Sequence, residues 1–280
     1  MKTSMIILFM GILQSINVAF SQKHIWSDGS AQTIAQHRFE TGFILAPARY
    51  GVTDSLEVST NLLWEYFVPT LGAKNFWGSY DGFLISSTHS IYSPTPFLRF
   101  VSKEKTGGLL PPDNYVPFFI VLDSYLLVSH EIAENHFGTV RVGGKLAFAI
   151  SDQTNNHPAY ERLQTIDYPF VFPRTAFLAK TPAFAPDGGI TVSGSLIWRL
   201  EYEAGVDFFR FSTRDNLREE DFSCWAIESS AVLKWHISQH VSGRLGMIYS
   251  AGTFPFGSNR VLYPLFDIQI GFGGIAPPEK

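Results

Sequence analysis

The chain has 280 residues, a formal net charge of −4 and a single cysteine, Cys224. One cysteine excludes an internal disulfide and a thiolate metal cluster. The charge is spread along the chain without the basic block that nucleic-acid binding needs, so no nucleic-acid partner is expected. Aromatic residues make up 15% of the chain, yet no stretch after residue 21 holds the roughly 18 uninterrupted apolar residues of a membrane helix.

The N-terminus carries the three parts of an export signal. Lys2 supplies a positive start, Met5 to Leu13 form a short apolar stretch, and Ala19-Phe20-Ser21 places small residues around a cut ahead of Gln22. Residues 1–21 therefore read as a cleaved signal peptide and 22–36 as an N-terminal segment. No cysteine lies near the cut to take a lipid anchor. An aromatic-rich exported chain without a spanning helix meets a membrane as a closed sheet, in which every backbone group pairs between strands.

Alternation of two faces runs through the rest of the chain. Leu56, Val58, Thr60, Leu62, Trp64 and Tyr66 oppose a largely polar set including Glu57, Ser59, Asn61 and Glu65. Val140, Val142, Leu146, Phe148 and Ile150 oppose Arg141, Lys145 and Ser151; Ile190, Val192, Leu196, Trp198 and Leu200 oppose Thr191, Ser193, Arg199 and Glu201. Trp225, Ile227, Leu233 and Trp235 share a face opposite Glu228 and Lys234. Near the end, Phe266, Ile268, Ile270 and Phe272 alternate with Asp267, Gln269 and Gly271. Segments of about ten residues with this period are long enough to cross a bilayer as tilted strands. Trp64, Tyr66, Trp198, Tyr202, Trp225 and Trp235 lie near strand ends, as an interfacial girdle requires.

Twelve strands are expected, within a range of ten to fourteen, near 37–46, 55–67, 69–77, 83–98, 117–129, 139–151, 168–180, 189–200, 204–212, 222–237, 241–250 and 262–272. Short turns fall at Tyr50 to Ser55, Gly78 to Gly82 and Ser238 to His240. Longer connections fall at Ser102 to Tyr115, Ser151 to Asp167, Thr181 to Gly188, Thr213 to Asp221 and Ala251 to Arg260. Short turns at one end and long loops at the other are the asymmetry of membrane barrels. The sequence thus predicts an all-β, antiparallel transmembrane barrel over 37–272 with a tail at 273–280.

Pro47 to Asn61 (PARYGVTDSLEVSTN) resembles an element of outer-membrane barrel families, in which an Arg/Tyr-Gly-aliphatic-Thr-Asp turn leads into a strand beginning Leu-Glu. Tyr92 to Pro96 and Gly107 to Asp113 also look like uncharacterised outer-membrane β-barrel proteins of Gram-negative bacteria. The aromatic-ended last strand is similar to the signal read by the barrel-assembly machinery. The resemblance implies the outer membrane as location, with its lipids and that machinery as partners, and carries over no substrate.

If the alternation holds, Arg38, Glu40, Glu57, Glu65, Arg141, Lys145, Arg199, Glu201, Lys234, Arg244 and Asp267 line the lumen. Charges of both signs either pair to plug a narrow interior or line a passage for a small polar solute. A passive channel or transport-associated barrel is the first expectation and a sealed structural or surface-interaction barrel the second. An enzyme acting on lipid or peptide is the third. For that third reading His89, His130 and His236 are weak candidates. His130 and His136 lack metalloprotease spacing, and His89 and Ser90 are neighbours on one strand and so face opposite sides. No catalytic residue, metal ligand or cofactor is assigned from sequence.

Overall fold

A computed structural model describes residues 29–44, 46–101, 116–150, 182–197, 199–215, 220–254 and 257–273. Twelve antiparallel strands close into one barrel, each bonded to its sequence neighbours and the last to the first. They are β1 (Phe39–Gly42), β2 (Ala48–Gly51), β3 (Leu56–Thr60), β4 (Thr70–Tyr80), β5 (Phe83–Tyr92), β6 (Phe118–Ala133), β7 (His136–Ile150), β8 (Ala183–Ile197), β9 (Leu200–Asp215), β10 (Glu220–His236), β11 (Val241–Phe254) and β12 (Gly257–Phe272). A short helix, α1 (Thr95–Val101), follows β5. Among the described residues no helix is long and apolar enough to cross a membrane.

The expected count of twelve holds, but its members differ. The stretch 37–46 holds only β1, and β2 begins at Ala48 and ends inside the turn expected at Tyr50 to Ser55. The candidate at 168–180 lies outside the described residues, as do residues 1–28 and 274–280. Thr181 to Gly188, expected as a longer connection, is largely the start of β8. The strand expected over 83–98 stops at Tyr92, where Pro94 and Pro96 end the ladder. Pro96 then sits in the first turn of α1, where its missing N–H leaves no helical bond unmade. The β9–β10 and β11–β12 hairpins run further than expected, to Asp215 and Phe254, before turning back.

The turn between β4 and β5 is two residues, Asp81 and Gly82, both at positive φ. An Asp-Gly pair is the sequence that this tight hairpin demands. A bulge between Phe76 and Gly78 brings Trp77 to the outer face just above it. The β2–β3, β4–β5, β6–β7, β8–β9 and β10–β11 turns lie at one rim with the end of β12, and the other rim carries the long β3–β4, β5–β6 and β7–β8 connections together with the shorter β9–β10 and β11–β12 ones.

Outside, the wall is apolar. Leu122, Leu126, Val142, Ile190, Leu233, Leu245, Leu262, Phe266 and Ile268 are all exposed. On β12 the alternation is complete: Phe266 is 62% exposed while Asp267 is 3% exposed and Gln269 fully buried. An apolar exterior around a polar interior, with no free sheet edge between neighbouring strands, is the arrangement that a hydrocarbon solvent imposes on a sheet. At the short-turn rim Tyr80, Trp235 and Phe272 face outward, as an interfacial girdle does. Trp225 keeps its expected outward place. Trp64 does not: its indole N–H donates to the Ile44 carbonyl at 2.8 Å and its ring packs on the apolar cluster at the long-loop end. Trp198 lies outside the described residues.

Candidate functional site: the lumen

The interior divides by height. Towards the long-loop end the inward positions are apolar: Phe119 and Val121 of β6, Ala147 of β7, Ala185 of β8, Phe209 and Phe211 of β9, and Ala226 of β10. They form one buried cluster with Phe97 and Leu98 of α1. The Thr95 hydroxyl seats that helix by accepting from the Phe119 N–H at 2.7 Å and donating to the Pro117 carbonyl at 3.1 Å. Phe97 and Leu98 thus meet this face with side chains that have no polar atoms to satisfy.

Below this lies a belt of charge. Arg141 on β7 reaches Asp187 on β8 at 3.2 Å and Asp207 on β9 at 2.9 Å, and its guanidinium sits 4.6 Å from the centre of the Tyr125 ring. Tyr125 on β6 donates its phenol to Asp187 at 2.8 Å. Lys145 meets Asp123 across β6–β7 at 3.0 Å. The Tyr125 ring lies over its cross-strand partner Gly143, where any Cβ would strike both the ring and the β6 backbone. Gly143 therefore sets where the phenol and its two flanking cations stand.

At the short-turn end a second network forms. Glu40 is held by Arg38 at 2.5 Å and Arg49 at 2.6 Å, and Arg49 also lies 3.8 Å from Glu57. Lys234 pairs with Glu203 at 2.6 Å, and His236 lies 3.1 Å from Glu201. Asp267 faces Arg244 in the β11–β12 register. Its carboxylate accepts three backbone N–H groups of the β1–β2 turn, from Phe43, Ile44 and Ala46, at 2.8–3.0 Å.

Two of the expected lumen residues sit elsewhere. Glu65 is exposed in the turn after β3, where it accepts from the Thr60 hydroxyl and the Thr70 N–H. The strand ends at Thr60, so the period-2 reading does not reach it. Arg199 occupies the β8–β9 turn at a φ of 72° and points along the rim to the Ile237 carbonyl. The nine others face inward. Sequence reasoning missed Asp187, hidden by the Pro-Asp-Gly-Gly loop signature, and it missed Asp123, Asp207, Glu203, Arg49 and Lys74. Alternation carried on from Glu201 along β9 reaches Glu203 and Asp207.

The N-terminal segment also enters the lumen, which the sequence did not indicate. A Cβ added at Gly29 would lie 3.3 Å from the Glu203 carboxyl carbon on β9. The Ala31 N–H donates to the Ser129 hydroxyl on β6 at 2.8 Å. Lys74 on β4 donates to the carbonyls of Ser30 and Gln32 at 2.6 and 2.5 Å. The Ile34 N–H donates to Glu57 on β3 at 3.0 Å. In a ring of twelve, β9 and β3 are diametrically opposite, so residues 29–37 form a strap across the whole bore. Ala31 and Ile34 are 0% and 1% exposed. The strap leaves over Gly51, whose missing side chain lets the Ala35 carbonyl pass close.

Among the described residues no group of three or more His, Cys, Asp or Glu is placed to hold an ion. His130 stacks on Phe83 at 4.5 Å, and His136 reaches the Tyr202 hydroxyl at 3.1 Å.

These features define a transmembrane β-barrel of the outer-membrane type with an ion-paired, strapped interior. Among solved structures the chain is similar to the NanC porin in a rhombohedral crystal form, at 10% identity and a TM-score of 0.44, over 84% of this chain and 95% of that one. It is similar to OccAB4 of Acinetobacter baumannii at 14% identity and a TM-score of 0.41, over 81% and 52%. It is also similar to a loop-deletion mutant of OmpT, an outer membrane protein of Vibrio cholerae, at 8% identity and a TM-score of 0.37, over 86% and 61%. The chain thus spans between half and two thirds of the last two. No family model and no curated protein matches it.

Proposed function

We propose that the protein is a passive, transport-associated barrel of the Gram-negative outer membrane, closed at rest, whose bore opens when the N-terminal strap leaves it. The observation that carries this reading is the strap itself, anchored to β3, β4 and β6 by polar groups. Hydrogen bonds from a cation to two carbonyls hold a segment firmly, yet water replaces them without any covalent change. With the strap withdrawn, Lys74, Glu57, Arg49, Glu203 and Lys234 line the short-turn mouth. Mixed charge there screens a small polar solute by size and sign. A permanently sealed barrel is the second reading, favoured by the apolar packing of α1 at the far mouth.

Single-channel recording in planar bilayers tests the reading. The intact chain is expected to be silent or to open briefly, and deletion of residues 29–36 to give reproducible conductance steps. Silence from a deletion variant shown to be inserted and folded would overturn the channel reading in favour of the sealed one.

A further inference from the structure

A barrel with an occupied bore still has an outer wall, and one part of that wall is polar. On β5 and β6 the outward positions include Phe83, Ile91, Leu122 and Leu126, all exposed. Among them, on the same face, stand Ser87, His89 and Ser124, with His89 and Ser124 opposite each other across the two strands. The imidazole lies between the two hydroxyls: Nδ1 is 3.0 Å from Ser124 Oγ and Nε2 is 3.1 Å from Ser87 Oγ. The bulge of β4 brings Trp77 over the group, and its indole N–H donates to Ser87 Oγ at 2.9 Å. An ionisable side chain on a lipid-facing wall is costly to keep, which marks it as a candidate for function.

The Trp77 indole only donates, so Ser87 Oγ accepts there and keeps a second lone pair able to take the His89 Nε2–H. In that tautomer Nδ1 is the unprotonated nitrogen, aimed at the Ser124 hydroxyl. A serine within hydrogen-bond reach of a base that a third group orients is the arrangement of an activated nucleophile. Ser124 and His89 are exposed while Ser87 is buried, so the hydroxyl that can meet a substrate is the one facing Nδ1. On the other side Ser124 faces Gly144 of β7, which puts no side chain beside it.

We propose that Ser124 and His89 form a nucleophilic site on the outer wall that takes the carboxylic ester of a membrane amphiphile, with Ser87 positioning the imidazole. Ser124 Oγ bonds to the ester carbonyl carbon as its proton passes to His89 Nδ1. The alcohol leaves with that proton. Water then attacks the acyl-serine, giving its proton to His89, and the carboxylic acid departs as the Ser124 hydroxyl is restored. The substrate's apolar chain lies along Ile91, Leu122, Leu126 and Leu146, which surround the pair on the same face.

The test uses the full chain folded in detergent micelles and a long-chain alkyl fluorophosphonate, which forms an Oγ–phosphorus bond to an activated serine and releases fluoride. Peptide mapping is expected to place one label on Ser124. Labelling should vanish in Ser124→Ala and slow by about 10²-fold or more in His89→Gln, the loss expected of a general base. Ser87→Ala should slow it as well, and Ser87→Thr should restore it, which a merely structural role for the hydroxyl would not require. Heat-shifted gel migration confirms that each variant is folded. A folded barrel that takes no label, or a label on Ser124 that His89→Gln leaves unchanged, would overturn the proposal. Neither result bears on conductance, so the strapped-channel reading stands or falls separately.

Discussion

The Ala31 N–H donates to the Ser129 hydroxyl, and that hydroxyl shares a second hydrogen bond with Thr139 at 2.7 Å. A residue ahead of the first strand is thereby fixed to the inner wall of β6 and β7. Cysteines at positions 31 and 129, in a Cys224→Ser background, test this placement by disulfide formation. Mild oxidation of the folded barrel should cross-link them in high yield, read as a shifted band in a non-reducing gel. Failure to cross-link would place the strap outside the bore.

Lys74 anchors the strap by two carbonyls and is itself buried. Lys74→Met removes charge-assisted bonds of about 1.5–3 kcal/mol each and leaves two carbonyls to find water. The expected result is a barrel that still folds but whose strap is cut by added protease at residues 29–37. In the native chain that segment should be protected over the same period.

Asp267 accepts three backbone N–H groups at the seam where the barrel closes. Asp267→Ala should cost at least about 2 kcal/mol, since the Ile44 and Ala46 donors lose their acceptor at about 1–3 kcal/mol each while Phe43 keeps the Ile268 carbonyl. Tryptophan fluorescence in a denaturant titration of vesicle-inserted protein measures the loss. A change below about 1 kcal/mol would show that water or neighbouring groups serve the turn as well.

Lys234 and Glu203 meet at 2.6 Å with side chains 5% and 16% exposed. Lys234→Met alone strands a carboxylate in the bore and should destabilise by about 3–5 kcal/mol. Adding Glu203→Gln should recover much of that loss, and the same titration on both variants reads the coupling.

Much of the barrel was legible because its strands obey a two-residue period that hydrocarbon on one side and charge on the other make strict. Asp267, Gln269 and Gly271 were assigned inward from alternation alone, and they are. The period says nothing where strands are short or interrupted. β2 has four residues, and its last two fell within the turn expected at Tyr50 to Ser55. Pro186-Asp187-Gly188-Gly189 carries loop chemistry inside a strand, so Asp187 was lost with it. The strap has no periodicity, since its fit depends on single groups on β3, β4 and β6. The His89–Ser124 pair was hidden differently. Ser90 is adjacent in sequence and faces away, whereas Ser124 is 35 positions distant and directly opposite.

The first three strands are four to five residues long, and β1 meets β12 over four residue pairs, Phe39↔Phe272 to Gly42↔Gln269. Their partners elsewhere run to sixteen and seventeen residues. The cylinder is therefore joined along a short hem, by residues more than two hundred positions apart, and closing so long a loop is entropically costly. Long hairpins from β4 to β12 can zip locally as a curved sheet before that hem is sewn. Pro264, beyond the stretch that β1 covers, sits where a sheet tolerates a residue that donates no hydrogen bond. The clasp of the Asp267 carboxylate on the β1–β2 turn is then the event that turns an open sheet into a ring.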